Sequence, residues 1–183
     1  MGNAATLFGQ FGPTATAASD AKAKGKNITI RSAVDLRDVE RMVDMGRLVH
    51  DESQFGDLEY AHDKLMAFGA NGLTGEGRKK VCLMMAESGS ELVGIVVATV
   101  SEHWFSRELG ASAMLFYVHP DHRGGMAAIK LLHGFRRWAN NRRVKRININ
   151  VTTGVDMART DKLMRRLGFK FTGGNYVLGM SDA

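Results

Sequence analysis

The chain has one cysteine in 183 residues, Cys82, and it stands inside the apolar run "VCLMM". A single thiol excludes an internal disulfide and leaves no thiol cluster to hold structural zinc. No apolar run approaches the roughly 20 residues that a membrane-spanning helix needs. The longest, Leu92 to Val100, is rich in β-branched residues and suits a buried strand. A soluble protein with no membrane partner is therefore expected. No charged-then-apolar leader opens the chain, so a cytoplasmic location in a bacterial or host cell is expected. The opening "MGNAAT" formally fits an N-myristoylation pattern, with Gly2 and Thr6 at the required places, but the pattern is short.

Against these absences, 44% of the residues are hydrophobic, enough for one packed core of ordinary size. Twenty-five Lys and Arg against nineteen Asp and Glu leave a formal charge of +6, which favours anionic partners: nucleic acid, acidic proteins or phosphate-bearing cofactors. Residues 1–26 are rich in Ala, Gly, Thr and Lys, with only Leu7, Phe8 and Phe11 as large apolar groups. They read as a low-complexity tail that cannot fold alone, and residues 27–183 as one domain.

From Asn27 the pattern is regular. "NITIRSA" alternates as a strand does, and Val34, Leu36, Val39, Met42, Val43, Met45 and Val49 then fall at helical spacing, with Ser32 or Asp35 as a cap. "AHDKLMAFGANG" predicts a short second helix ending at glycine. "KKVCLMMAES" and "ELVGIVVATVSEHWF" read as an antiparallel hairpin joined by "SGS", with "SRELG" as a connection to a third strand, "ASAMLFYV". A helix follows in which Ala128, Leu131, Leu132, Phe135 and Trp138 share a face. Then come the strand "VKRININVT", the helix "VDMARTDKLMRRLGF" and a closing hairpin "FKFTGGNYVLGM".

Chemistry concentrates at the third strand's end. A strand finishing at Val118, the turn "HPDHRGG" and a helix make a physical anion site: the first helical amides lack internal partners, the helix dipole favours negative charge, and Gly124 and Gly125 allow close approach to the backbone. Arg123 adds a fixed positive charge. A plain strand-to-helix turn is the alternative reading of the same residues.

The order of elements, with "RGGMAA" and the closing "LMRRLGFKFTGGNYVLGM", resembles the GNAT acetyltransferase superfamily over about residues 27–180. That resemblance implies an α/β (α+β layered) GNAT acyl-CoA N-acyltransferase fold, a mixed central sheet flanked by helices. It implies acetyl-CoA as co-substrate, held by the loop Arg123, Gly124, Gly125, Met126, Ala127 and Ala128, with the thioester carbonyl polarised by an amide near Val118. It also implies direct attack by an amine acceptor, with no metal required. "VHDESQFGDLEYAHDKL" is similar to the substrate-side helices of acetyltransferase-like proteins encoded by bacteriophages.

Two positions depart from the family pattern. Met126 stands where the loop carries a second glycine, which predicts bulk over the diphosphate. Met164 stands where many members carry a tyrosine that serves as general acid, and a thioether has no proton to give. Tyr176 and Tyr117 are the available hydroxyls, each also readable as an ordinary strand aromatic. Glu52 is the candidate base, with His50 nearby and Glu102 and His103 behind it; a solvated surface carboxylate is the alternative for Glu52. His119 and His122, three apart, lack a third ligand for a metal.

The run "RRWANNRRVKR" reads as a basic helix face, with nucleic-acid contact as a less favoured use. Two functions follow: an acetyl-CoA-dependent N-acetyltransferase, or an acetyltransferase-fold assembly component of a phage virion that meets neighbouring virion proteins through the tail.

Overall fold

The computed structural model describes residues 27–151 and 153–176. Five strands form one sheet in chain order: β1 (Ile28–Ser32), β2 (Val81–Ser88), β3 (Glu91–His103), β4 (Ser106–Val118) and β5 (Arg146–Ile149). β1 to β4 pair antiparallel, while β5 joins β4 in parallel. Helix α1 (Leu36–Glu52) follows β1, α2 (His62–Leu73) and the single-turn α3 (Gly77–Lys80) precede β2, α4 (Ala127–Asn140) joins β4 to β5, and α5 (Met157–Arg166) follows β5. This is the mixed α/β architecture, sheet flanked by helices, that the family resemblance implies. Among the described residues no helix is long and apolar enough to cross a membrane.

The period-2 geometry of a strand sorts side chains to opposite faces. Cys82, Met84 and Ala86 of β2 pack with Leu131 and Phe135 of α4. Their neighbours Leu83 and Met85 pack with Val39, Met42 and Val43 of α1. Covered on both faces, β2 and the middle of β3 are buried nearly throughout, which is why "LVGIVVATV" reads as a continuous apolar run rather than an alternating one. Cys82 is 1% exposed, and burial pushes its thiol up to about 12. It is an inert core residue.

Asp35 caps α1, its carboxylate accepting the Asp38 amide at 2.9 Å. The helix starts later than the apolar spacing suggests and runs three residues beyond Val49, so Glu52 lies in its last turn. α1 is tied to the sheet by ions as well as by apolar contact. Arg31 on β1 reaches both carboxylate oxygens of Asp38 on α1 (2.5 and 2.7 Å) and both of Glu87 on β2 (2.7 and 2.9 Å), and Arg41 adds a contact to Glu87 at 2.7 Å. Against α1, α2 packs through a glycine: a Cβ on Gly69 would lie 2.3 Å from Val39 Cγ1. Gly69→Ala is expected to cost about 1–3 kcal/mol through overpacking, despite its better helix propensity, and urea unfolding measures it.

Two sequence expectations are corrected and one element is added. "SRELG" is not a connection: β4 begins at Ser106, and the hairpin turns at Trp104 and Phe105, which are 94% and 71% exposed. Pairing there reaches His103 opposite Ser106, so backbone hydrogen bonding extends the ladder beyond the core into a polar arm. The added element is α3, four residues too short to carry a helical period. Of the expected closing hairpin, the described residues 169–176 hold no strand, and Phe171 there is 68% exposed. The rest of that hairpin, 177–180, and the tail 1–26 lie outside the described residues.

One irregularity positions the site. The β3–β4 register shifts between Val97 and Ala98, leaving Met114 as an extra residue in β4. Such a bulge bends its strand. β4 pairs with β5 only over Gly110–Ala113, and beyond Met114 the two parallel strands part. The gap between them is a cleft of about 470 Å³.

Candidate active site

β4 ends at the mouth of this cleft. His119 N–H donates to Val93 O on β3 at 2.9 Å, and because residues of an antiparallel strand alternate in the direction of their backbone groups, Val118 turns its amide and carbonyl the other way, into the gap toward β5. A 3-10 turn, Pro120–His122, then leads through Arg123 to Gly124, whose φ of +85° requires glycine for an unstrained turn. In α4, Lys130 N–H donates to Met126 O at 2.9 Å. Ahead of it, the amides of residues 124–129 have no acceptor among the described residues. Six donors at the positive end of a 14-residue helix, beside a cleft that Gly124, Gly125 and Ala128 line, fit a diphosphate.

Met126 does not crowd that site. Its φ and ψ are −81° and −11°, a helical conformation open to any residue, and its side chain is 53% exposed and does not line the cleft. The conformation that needs glycine has moved to Gly124. Ala127 faces the core at 1% exposure, so in the loop it supplies its amide alone.

Arg123 is turned inward. Its Nε donates to Val118 O at 2.9 Å, its Nη2 to Glu52 Oε2 at 2.7 Å, and its guanidinium stands 5.2 Å from the Tyr117 ring centre. Tyr117, 7% exposed, donates its hydroxyl to Glu52 Oε1 at 2.6 Å. Four chain positions, Glu52, Tyr117, Val118 and Arg123, thus converge at the end of α1 and β4. Burial raises the Glu52 pKa, yet the hydrogen bonds from Arg123 and Tyr117, with the charges of Arg123 and His119, outweigh it and hold the carboxyl below its ordinary value. Tyr117 moves the opposite way: burial first, then its bond to the Glu52 carboxylate, raises the phenol well above the usual range.

Of the other predicted residues, Tyr176 is fully exposed and not part of the cleft wall. His50 lies on a second pocket, its Nε2 2.8 Å from Leu58 O. His103 stacks on Phe105 at the hairpin tip, with Glu102 exposed beside it, away from the cleft. His119 and His122 face one another at 6.2 Å across the turn, and His122 is 3.3 Å from Glu91. Met164 is buried at 8% exposure.

Sequence reasoning missed the cations of α5. Arg159, Lys162 and Arg166 line the cleft with Thr160, and Arg159 Nη2 would lie 2.6 Å from a Cβ on Gly124, so this guanidinium sits against the loop. Their spacing in "ARTDKLMRR" places them on one side of an amphipathic helix, a signal that was present but has the form of any solvated face.

The basic run is partly structural. Arg142 donates to the carbonyls of Lys79 (2.9 Å), Arg78 (2.5 Å) and Trp138 (3.0 Å) and covers the Trp138 ring at 3.9 Å, clamping α3 to α4. Neither the fold nor the comparisons below support a nucleic-acid partner or a place in a phage particle.

The Acetyltransferase (GNAT) family model matches residues 44–169, which takes in the second half of α1, the parted strands, the loop and α5. The fold is similar to a ribosomal-protein-alanine N-acetyltransferase from Brucella melitensis biovar Abortus 2308, with a TM-score of 0.63 at 16% identity over 84% of this chain and 99% of that one. It is similar to a predicted acetyltransferase with acetyl-CoA from Clostridium acetobutylicum, TM-score 0.63 at 18% identity over 84% and 96%. It is also similar to AAC(6')-Iy in complex with a CoA-S-monomethyl-acetylneamine bisubstrate analogue, TM-score 0.62 at 16% identity over 86% and 99%. No curated protein sequence matches the chain. With more than half its length matched by the family model and its strands parted over a helix-capped loop, the chain belongs to the GNAT acetyltransferase family.

Proposed function

We propose that this chain transfers an acetyl group from acetyl-CoA to an amine. The observation that carries this reading is the row of free amides at residues 124–129, opening onto a cleft whose inner end holds the Val118 amide. When bound, the coenzyme supplies the activated thioester. The residues of the chain hold, orient and exchange protons. The loop amides and the α4 dipole hold the diphosphate, and Arg159, Lys162 and Arg166 add cationic donors along the same wall. Val118 N–H points to the place where negative charge develops on the carbonyl oxygen.

Glu52 is the proton acceptor of this scheme. Two of its lone-pair sites are taken by Arg123 and Tyr117, and a carboxylate offers about four, so it still accepts from an amine. Tyr117, not Tyr176, is the hydroxyl beside the cleft. Its phenol stays protonated and steadies the carboxylate.

Calorimetry with acetyl-CoA tests the reading directly. A saturable heat is expected, diminished by Arg159→Ala; no binding at high micromolar concentration would sink the enzyme assignment. Glu52→Gln is expected to lower turnover at least tenfold, read as thiol release, while leaving acetyl-CoA binding in place; unchanged turnover removes Glu52 as the base. The Glu52 carboxyl lies below its ordinary value of 4.5, so this group is ionised throughout the neutral range. An activity loss due to Glu52 is expected only below that value, as pH falls, and an acid limb near neutrality would assign the proton acceptor to another group.

A further inference from the structure

A second pocket of about 380 Å³ lies under α1 and α2, against the sheet. It adjoins the first: Val49, Met114, Leu115 and Thr153 line both, and Met114 is the bulged residue at which β4 leaves β5. An occupant therefore reaches the inner end of the acetyl cleft beside Glu52, one turn along α1 from Val49. Its walls are apolar, with Phe55, Leu65 and Phe68 facing Val43 and Leu83. The polar groups there are largely committed to the chain itself. Tyr60 donates its hydroxyl to Val43 O, and His50 Nε2 pairs with Leu58 O. Among the described residues that line the pocket there is no carboxylate, and Lys64 is the only one of fixed charge. Polycationic acceptors need carboxylates around their spare ammonium groups, and here they would meet Lys64 and hydrocarbon instead.

We propose that the acceptor is a primary amine carried on an apolar, uncharged body, an alkyl- or arylalkylamine, whose body fills this pocket and whose nitrogen emerges at Glu52. The inference rests on the acetyl-transfer reading and adds the class of acceptor. The nitrogen lone pair forms the new bond to the acetyl carbon, the carbon–sulfur bond breaks with its electron pair leaving on sulfur, one proton passes from nitrogen to Glu52, and solvent protonates the thiolate. The products are an N-acetylamine and the free coenzyme thiol.

The test is thiol release by the full chain with acetyl-CoA and the n-alkylamines from propylamine to hexylamine, beside spermidine and kanamycin. Each added methylene buries hydrocarbon worth a factor of about four, so kcat/KM is expected to climb about fourfold per carbon and to exceed that for both polycations. A flat series, or a preference for spermidine or kanamycin, overturns the proposal. Leu65→Asp, at a rim position 37% exposed where folding is tolerant of charge, is expected to flatten the climb at least twofold per carbon. If no amine is turned over, calorimetry of the same alkylamines with the protein decides: affinity rising with chain length and lost in Leu65→Asp upholds the pocket's selectivity while acetyl transfer fails, and affinity indifferent to chain length overturns it. Acetyl-CoA binding with no alkylamine selectivity leaves the transfer reading intact and removes only this inference.

Discussion

Replacing Arg31 with methionine is expected to lower the unfolding free energy by about 3 kcal/mol, the low end of what breaking a buried ion pair costs. Arg31 neutralises two carboxylates at once, Asp38 at 5% exposure and Glu87 at 8%. The low end applies because neither is stranded: Arg41 remains 2.7 Å from Glu87 and 3.6 Å from Asp38, and Val34 N–H still donates to Asp38 at 2.9 Å. A pH series gives the signature of the ion pair. The Arg31 hydrogen bonds hold the Asp38 carboxyl at about 2, against an ordinary 3.8. A group depressed on folding contributes its stability above the unfolded value and loses it as pH falls through the folded one. In the parent protein a contribution on the order of 2 kcal/mol should therefore disappear between about pH 4 and pH 2; in Arg31→Met that slope should largely vanish. Urea midpoints across this range measure both. An unaltered acid slope would show that Asp38 is held by the Val34 amide and Arg41 alone.

This clamp illustrates what was hidden in the chain. Hydrophobic period announces an element because burial is a property of neighbours along the strand or helix. So the β2–β3 hairpin, α1, α4 and α5 are legible, and so is the strand-to-helix turn between Val118 and α4, where glycine and position carry the signal. Pairings between distant residues have no local mark. Arg31, Asp38 and Glu87 lie 7 and 56 residues apart, and each alone has the form of a solvated charge. The same holds at the site: the sequence marks Glu52 as a candidate base, but its partners Tyr117 and Arg123 are 65 and 71 residues away. The turn at Trp104–Phe105 and the bulge at Met114 escaped for a related reason. Neither contains the glycine or asparagine that normally marks such a backbone, because the register of β3 against β4, not local preference, sets them there.

That distinction bears on how the two recognition pockets are divided. The bulge at Met114 lies where β4 parts from β5 at the first cleft, and the same residue forms part of the wall of the apolar pocket. The end of α1 supplies the other shared wall through Val49, and the loop after it is held to the β5–α5 connection by Gln54 N–H donating to Thr153 O at 3.2 Å. The two pockets, the proposed donor and acceptor sites, thus share one irregular strand and one helix end. Slackening of α1, as in Arg31→Met, should consequently raise KM for the amine more than it weakens coenzyme binding, since the amides of residues 126–129 are set by α4 and, in the loop, it is Arg123 that is tied to α1, through Glu52.

Gly124→Val is expected to weaken acetyl-CoA binding about 100-fold, while Met126→Gly changes it less than about threefold. The family pattern alone ranks these positions the other way, with Met126 as the fault in the loop. The backbone reverses the ranking. At φ +85° a β-branched residue is strained by about 1–2 kcal/mol, and the turn relieves that strain by rotating the amides of residues 124–126 away from the diphosphate. Each charge-assisted hydrogen bond so lost removes about 1.5–3 kcal/mol, and two of them at the low end of that range account for the expected factor. The new side chain also meets Arg159 Nη2, 2.6 Å from where its Cβ would stand; that contact is the cheaper one, because a flexible guanidinium swings aside. Calorimetric titration of both variants decides. Tight binding by Gly124→Val would mean that the α5 cations hold the coenzyme without the loop, and a large gain in Met126→Gly would mean that the methionine side chain does lie over the phosphates. The helical backbone at Met126, φ −81° with its side chain 53% exposed, argues that glycine there adds only flexibility to a turn whose donors are already aimed.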